Sequence, residues 1–119
     1  MDTVTVPKHY LFMLNQIFEL EQKVAKLQES NSLQRNIDRL KNYFEIEIAD
    51  GQGLVYQNPI GESYDITRTD CEASIAGTST ENLEIIEVLK PIIYVKFGNS
   101  NIIVQKAIVI VQSKNSIQI

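Results

Sequence analysis

The sequence predicts an α+β protein in which a long N-terminal helix, forming a dimeric coiled coil, precedes a small β-rich domain. Apolar residues recur every three or four positions from Tyr10 to Phe44, and this spacing places them on one side of a helix. From Leu83 onward, β-branched and aromatic residues dominate, as they do in strands. The period changes after Phe44, so we predict a helical segment at residues 1–44 and a compact β-rich domain at 45–119.

The apolar stripe is the reason to expect a dimer. An unbroken helix from Tyr10 to Phe44 is roughly 50 Å long, and its stripe outruns what a β domain of the same chain is expected to cover. We therefore expect the stripe to meet the same helix of a second copy. The residues expected at this contact all belong to the stripe: Tyr10, Leu14, Ile17, Leu20, Val24, Leu27, Leu33, Ile37 and Leu40.

A polar step at residues 29–32 interrupts the stripe. Leu33 follows Leu27 one position short of a heptad, so a continuous helix would be locally overwound there. Alternatively the helix breaks and restarts with Ser30 or Asn31 as a new N-cap, or the polar residues close a helical hairpin. The spacing favours a continuous or kinked helix and leaves the other two open.

Short strands are predicted after the helix. Phe44, Ile46 and Ile48 alternate with other residues, which indicates a strand. Pro91 marks a break between two strands because proline cannot donate to a ladder, and residues 98–101 form a hairpin connection. The further strands expected are Leu54 to Tyr56, Cys71 to Ala76, Leu83 to Leu89, Ile92 to Phe97 and Ile102 to Val111, the last with both faces covered around 107–111.

Composition narrows the class of protein. The chain has 119 residues, 44% hydrophobic and 22% charged, which is ordinary for one folded domain. No apolar run reaches membrane-span length, no signal peptide is recognised, and a lone Cys71 fits the reducing cytoplasm. The net charge of −4 arises from residues 45–119, and an acidic domain argues against nucleic-acid binding.

The residue pattern does not predict an enzyme. Cys71 lies between Asp70 and Glu72, whereas a nucleophilic thiol needs a neighbouring base or positive charge. The single histidine, His9, is about 60 residues away. Asp65, Asp70 and Glu72 lack the spacing of a calcium loop, and Asp65 before Thr67 is better explained as a local turn cap. We therefore expect no catalytic residue, metal or cofactor.

Several segments in the second half resemble one family. The segment from Pro59 to Asp65 is similar to the Pro-x-Gly-Glu-x-Phe-Asp stretch that opens the β domain of GrpE proteins, the nucleotide exchange factors of DnaK-type chaperones. Cys71-Glu72-Ala73 stands where that family has His-Glu-Ala. The stretches 37–46, 87–94 and 106–111 resemble the helix leading into the β domain, the strand before a Gly-Tyr pair, and the closing strand.

The chain also departs from that family. Cys71 replaces the histidine of His-Glu-Ala, Gln105-Lys106 replaces Arg-Pro, and Ile93 replaces the glycine before Tyr94. The helical segment is far shorter than the family's stalk. The resemblance covers roughly residues 33–112, and it identifies the chain as a short, divergent relative.

The resemblance implies a cochaperone without chemistry of its own. A GrpE dimer uses its β domain to grip the ATPase domain of a DnaK-type chaperone and to hold the nucleotide cleft open, so that ADP leaves. The partner-binding residues it implies are Gly61, Glu62, Tyr64, Asp65, Glu72 and Ala107, with core packing as the alternative for Tyr64 and Ala107. The competing hypothesis is a coiled-coil dimeric interaction module with no exchange activity.

Overall fold

The computed structural model describes residues 6–27, 32–46 and 52–114. Within these residues the chain is α+β, with two helices and two β-sheets. The elements are α1 (Lys8–Ala25), α2 (Leu33–Ile46), β1 (Gln52–Gln57), β2 (Ser63–Tyr64), β3 (Cys71–Ala76), β4 (Leu83–Lys90), β5 (Ile92–Phe97), β6 (Ser100–Gln105) and β7 (Ala107–Ser113). The α+β class predicted from the sequence is confirmed.

The continuous helix favoured for Tyr10 to Phe44 is wrong, and the break left open by the sequence is what the structure has, because two separate helices occupy this stretch. α1 begins after Pro7, whose carbonyl accepts the N–H of Tyr10 at 3.0 Å. At its other end, the N–H groups of Lys26 and Leu27 turn back to carbonyls three residues earlier, which is typical of a tightening last turn. The proposed caps Ser30 and Asn31 lie outside the described residues.

The two helices pack against each other, so part of the stripe is buried within one chain. Leu14, Ile17 and Ile37, three of the residues expected at a dimer contact, are at most 5% exposed and belong to one core cluster. These three residues are covered by their own chain, so the expectation that they meet a second copy is wrong for them. A helical pattern shows which side of a helix is apolar, and it does not show whether the partner helix comes from the same chain.

The first sheet has the order β1-β5-β6. It belongs to a compact unit made of Met1–Tyr56 and Ile93–Val104, called unit 1 here. Leu54, Ile93 and Val95 from this sheet share the core with the helix residues. The strand expected at Phe44 to Ile48 is wrong for its described part, since 44–46 complete α2 and 47–49 are outside the described residues.

The second sheet has the order β2-β4-β7-β3. It belongs to unit 2, made of Gln57–Ile92 and Gln105–Ile119. β7 is central, antiparallel to β4 and parallel to β3. Residues on β7 alternate between buried and half-buried from Ala107 to Ser113, so one face is fully covered and the expectation of two covered faces is wrong.

The strand predicted from Ile102 to Val111 is in fact two strands in two different sheets. The chain leaves β6 at Gln105 and enters β7 at Ala107. The side-chain amide of Gln105 donates to the carbonyl of Pro91 at 2.9 Å. This hydrogen bond connects the link between β6 and β7 with the link between β4 and β5. Each unit thus contains one of the two sheets, and residues 93–104 belong to the same unit as the helices.

Candidate functional site: an arginine-centred acidic loop

Four of the six residues predicted to bind a partner lie in one loop of unit 2, between β1 and β3. The loop is fixed to β4 by its backbone. The N–H of Gly61 donates to the carbonyl of Ile85, and the N–H of Ile85 donates to the carbonyl of Glu62, both at 2.9 Å. The β2–β4 pairing continues this ladder at Ser63. Because these are strand-type hydrogen bonds, the loop has a defined path across the sheet edge.

Gly61 makes the turn before β2. Its φ is +83°, a left-handed conformation that glycine adopts without the steric cost of a Cβ. No heavy atom lies within 4 Å of the position a Cβ would take, so the requirement for glycine is conformational. The turn is closed by the N–H of Glu62, which donates to the carbonyl of Pro59 at 3.1 Å.

Asp65 caps the next turn, as the sequence predicted. Its Oδ1 accepts the backbone N–H of Thr67 at 2.8 Å and the hydroxyl of the same residue. The hydroxyl of Thr67, followed by its backbone N–H, holds the pKa of the Asp65 carboxyl below its usual range. Asp65 is exposed, so this negative charge faces solvent in a fixed position.

Arg68 is the centre of the loop. Its Nε donates to Oδ1 of Asp70 at 2.6 Å, and its Nη2 donates to Oε1 of Glu62, also at 2.6 Å. Its Nη1 donates to the carbonyl of Ser63 at 2.9 Å. The guanidinium side chain is 19% exposed, compared with 41% for Glu62 and 28% for Asp70. One cation thus joins both ends of the loop through charge-assisted bonds.

These contacts set the charge state of the loop. The hydrogen bond from Arg68 holds the pKa of the Asp70 carboxyl below its ordinary value. The bond to Asp70 raises the pKa of the Arg68 guanidinium, with a further contribution from Glu62. The Asp70 carboxylate therefore remains ionised at neutral pH, and the loop presents fixed negative charge there.

The two remaining predicted residues are separated from the loop segment. Glu72 is exposed on β3, opposite Ile108 of β7. Ala107 is fully buried on β7, with its N–H donating to the carbonyl of Asp70 at 3.0 Å. Ala107 therefore has the core-packing position that was the alternative for it, and it supports the loop from beneath. Tyr64 is half-buried on β2.

Cys71 is a buried strand residue that follows the loop. Burial raises the pKa of its thiol to about 11, and Asp70 adds to the increase while Arg68 opposes it. A thiol with this pKa carries little thiolate at neutral pH, and the thiolate is the nucleophilic form. The geometry therefore favours a structural role for Cys71.

A second surface lies on the helices of unit 1. Leu20, Leu27, Leu33 and Leu40, all predicted at the dimer contact, are 44–53% exposed. Leu20 and Leu27 are seven residues apart on and just after α1, and Leu33 and Leu40 are seven apart on α2. Tyr10 and Val24 are half-buried. Each helix thus has an apolar stripe that its own chain leaves half-exposed.

A polar cluster centred on Glu21 links the two helices to β1. The hydroxyl of Tyr56 donates to Glu21 at 2.5 Å, while Gln34 and Lys41 donate to the same carboxylate at 3.0 and 3.2 Å. Burial tends to raise the pKa of Glu21, but these three donors hold it below its usual value. The cluster joins both helices to β1 and has a structural function.

Sequence reasoning missed Arg68. A signal was present, because Arg68 is the only Lys or Arg between Lys41 and Lys90, in a stretch rich in Asp and Glu. A lone cation among carboxylates is expected to pair with several of them. Which carboxylates it joins depends on the turns at Gly61 and Asp65, and those follow from the folded loop.

The described residues contain neither a metal-binding cluster nor a membrane-spanning helix. In residues 6–27, 32–46 and 52–114, no group of three or more His, Cys, Asp or Glu side chains has a geometry suited to a metal ion. In the same part of the chain, neither helix is long and apolar enough to cross a membrane.

The acidic loop itself has an ordered backbone and ionised carboxylates, which suit contact with a positively charged protein surface. No protein-family model, curated protein or solved structure matches this chain.

Proposed function

We propose that this chain is a short GrpE-like cochaperone, a non-enzymatic nucleotide exchange factor that acts in the cytoplasm on the ATPase domain of a DnaK-type chaperone. The proposal rests on the segment from Pro59 to Asp65, whose resemblance to the opening of a GrpE β domain was noted above. The observation that supports it best is the Arg68-centred loop, which holds this segment in place. A loop ordered before binding loses less conformational entropy when a partner binds.

The surface we assign to the chaperone consists of Gly61, Glu62, Tyr64 and Asp65 in the loop, with Glu72 on β3. Its carboxylates would accept hydrogen bonds from Lys and Arg side chains of the ATPase domain. Ala107 would act from below, through the carbonyl of Asp70 that it holds. Such contacts exchange nucleotide without chemistry if they form better with the open cleft than with the closed one.

We also propose that the chain is a homodimer, held by the exposed helical stripes of unit 1. Leu20 and Leu27, with Leu33 and Leu40, present apolar side chains at heptad spacing on both helices. Heptad spacing matches the packing of one helix against others in a bundle. A second copy supplies two identical helices, so we expect four helices to pack together and cover these leucines.

The alternative is a dimeric interaction module without exchange activity. It is favoured by the position of Cys71, which replaces the family's histidine and is buried. A family contact made by that histidine would be lost here. The two hypotheses share the helical dimer and differ only in what the loop of unit 2 binds.

Release of a fluorescent ADP analogue from a DnaK-type ATPase domain tests the exchange hypothesis. We expect micromolar protein to accelerate release. Glu72→Lys should raise the concentration needed for half-maximal acceleration by about tenfold, since it reverses an exposed charge in the surface. Glu87→Lys is the matched control, because Glu87 is exposed on the same sheet but outside the surface. The half-maximal concentration of Glu87→Lys should stay within about twofold of the wild-type value.

No acceleration at any micromolar concentration would contradict the exchange hypothesis and leave the interaction module. Equal effects of Glu72→Lys and Glu87→Lys would contradict the assigned surface. Because both residues are exposed, neither substitution is expected to unfold the chain.

Sedimentation tests the dimer. We expect wild type to sediment as a dimer and the pair Leu20→Glu with Leu40→Glu to sediment as a folded monomer, since both leucines are half-exposed in one chain. Phe12→Glu is the control, because Phe12 is 64% exposed on α1 and outside the stripe. A monomeric wild type at high concentration would refute the dimer.

A further inference from the structure

A cavity lies beside the acidic loop in unit 2. It encloses about 510 Å³, which is within the range of about 300–1,000 Å³ found for ligand sites. Ala73, Ile75 and Leu83 come from β3 and β4, Tyr64 and Ile66 from the loop, and Asp65 adds a carboxylate. The cavity is therefore largely apolar and has one fixed negative charge.

Two of its apolar side chains are unusually open to solvent. Ile66 is 91% exposed, more than any other large apolar residue in the described part of the chain, and Ile75 is 45% exposed. Each exposed aliphatic side chain costs free energy in water that burial by a ligand would recover. Ile66 has no part in the Arg68 contacts that hold the loop, so its exposure is not explained by them.

Among the strands of the described residues, the one that forms one side of the cavity, β3, lies at an edge of its sheet. β3 pairs with β7 and is last in the order of its sheet. Ala73 and Ile75 are two residues apart on β3, so their side chains are on the same face of the sheet. A strand added beside β3 would therefore direct every second side chain toward the cavity side, as in recognition by β-strand addition.

The charge of unit 2 indicates what such a strand would carry. Seven acidic side chains stand against four basic ones in unit 2, and Arg68 is already held by two carboxylates. Asp65 in the cavity wall and Glu72 on β3 are both exposed. An approaching peptide with Lys or Arg residues would be attracted, and an acidic peptide would be repelled.

We propose that unit 2 binds an extended, basic segment of a partner protein, which adds to the edge of β3 and places an aliphatic side chain in the cavity between Ile66 and Ile75. The segment alternates basic and aliphatic residues. This site goes beyond the exchange activity proposed above, because it needs no nucleotide and takes a peptide rather than a folded domain.

The test uses the full chain, labelled for nuclear magnetic resonance, and a capped seven-residue peptide in which lysine alternates with leucine. We expect the amide signals of Cys71–Ala76 to shift on titration. Ile66→Ser and Ala73→Leu, the second of which fills the cavity, should each weaken binding by about fivefold or more. Ile60→Ser is the control, since Ile60 is 48% exposed in the same unit but does not line the cavity.

Two control peptides separate the contributions. Glutamate in place of lysine should abolish binding, and serine in place of leucine should weaken it by at least fivefold. The proposal is overturned if the glutamate peptide binds equally well, if Ile66→Ser and Ile60→Ser have the same effect, or if no shift appears at millimolar peptide. Concentration-dependent shifts of the same amides without peptide would place a second copy there, and would also overturn it. Nucleotide release does not enter the measurement, so its outcome is independent of the exchange hypothesis.

Discussion

Replacing Arg68 with methionine removes the charge that holds the acidic loop and keeps most of the aliphatic stem. The substitution breaks the bonds to Asp70, Glu62 and the carbonyl of Ser63. The contribution of each carboxylate pair to stability depends on how exposed the carboxylate is. The Glu62 carboxylate is 41% exposed, so its pair is screened and contributes about 0.5 kcal/mol. The Asp70 carboxylate is 28% exposed, so its short bond contributes about 1 kcal/mol.

With the Ser63 carbonyl included, we expect Arg68→Met to lower the free energy of unfolding by about 2 kcal/mol at pH 7. The midpoint of thermal unfolding should fall by about 8 °C in a chain of this length. Urea unfolding followed by circular dichroism measures the difference. Lys90→Met is the matched control, because Lys90 is an exposed cation in the same unit, and it should stay within about 0.5 kcal/mol.

The stability difference between wild type and Arg68→Met should depend on pH. The folded pKa of Asp70 is lowered by Arg68, so the stabilisation is present above the unfolded pKa of about 3.9 and is lost as pH falls through the lower folded pKa. The gap between wild type and Arg68→Met should therefore narrow at pH 3. If Arg68→Met and Lys90→Met cost the same, or if the gap does not change at pH 3, the reasoning about the loop is refuted.

Three further predictions concern single side chains. Gly53→Ala should lower the free energy of unfolding by about 3 kcal/mol in urea, because a Cβ on Gly53 would overlap the carbonyl oxygen of Glu45; a cost below 1 kcal/mol would show that this contact is absent. Cys71 should react with iodoacetamide at pH 8 roughly 200-fold more slowly than an unhindered cysteine, since its pKa is raised to about 11; mass spectrometry of the folded chain would contradict this by finding rapid labelling. Tyr56→Phe should cost about 1.5 kcal/mol in thermal unfolding because Glu21 loses a donor at 2.5 Å, and an unchanged midpoint would count against the polar cluster.

The strands were the part of the fold most easily predicted from sequence. Cys71–Ala76 and Ile92–Phe97 have the bounds expected, because β-branched residues and bounding turns act locally. The run from Ile102 was misjudged because neither proline nor glycine marks the point at Lys106 where the chain changes sheet. Only the pairing partners of β6 and β7 distinguish the two strands, and those partners are distant in sequence.

The helices were predicted in type but not in number. The period of the stripe is the same on both sides of the polar step, which favoured one continuous helix, although two helices with the same period also fit it. Phe44 illustrates the limit: it starts an apparent alternation with Ile46, yet it also lies seven residues after Ile37 and continues the helical stripe. Tertiary packing decides between the two periods, and Phe44 is buried in the same core cluster as Ile37.

The sequence did not predict how the residues of the candidate site are organised. The segment from Gly61 to Asp65 was identified by resemblance. Its position on the surface of unit 2 is determined by the turns at Gly61 and Asp65. Arg68 was overlooked because its importance depends on geometry rather than on a motif. Ala107 shows the opposite case, since a position suggested for binding is a buried support for the loop.

The exchange proposal depends most directly on whether the chain prefers the open, nucleotide-free chaperone. Calorimetric titration of the full chain into a DnaK-type ATPase domain, with and without saturating ADP, measures this preference. We predict at least about tenfold tighter binding without nucleotide, and an equal loss of ADP affinity when the chain is saturating, because coupling between two ligands is reciprocal. Equal affinity for the nucleotide-free and ADP-bound forms, or no binding to either, would contradict the proposal.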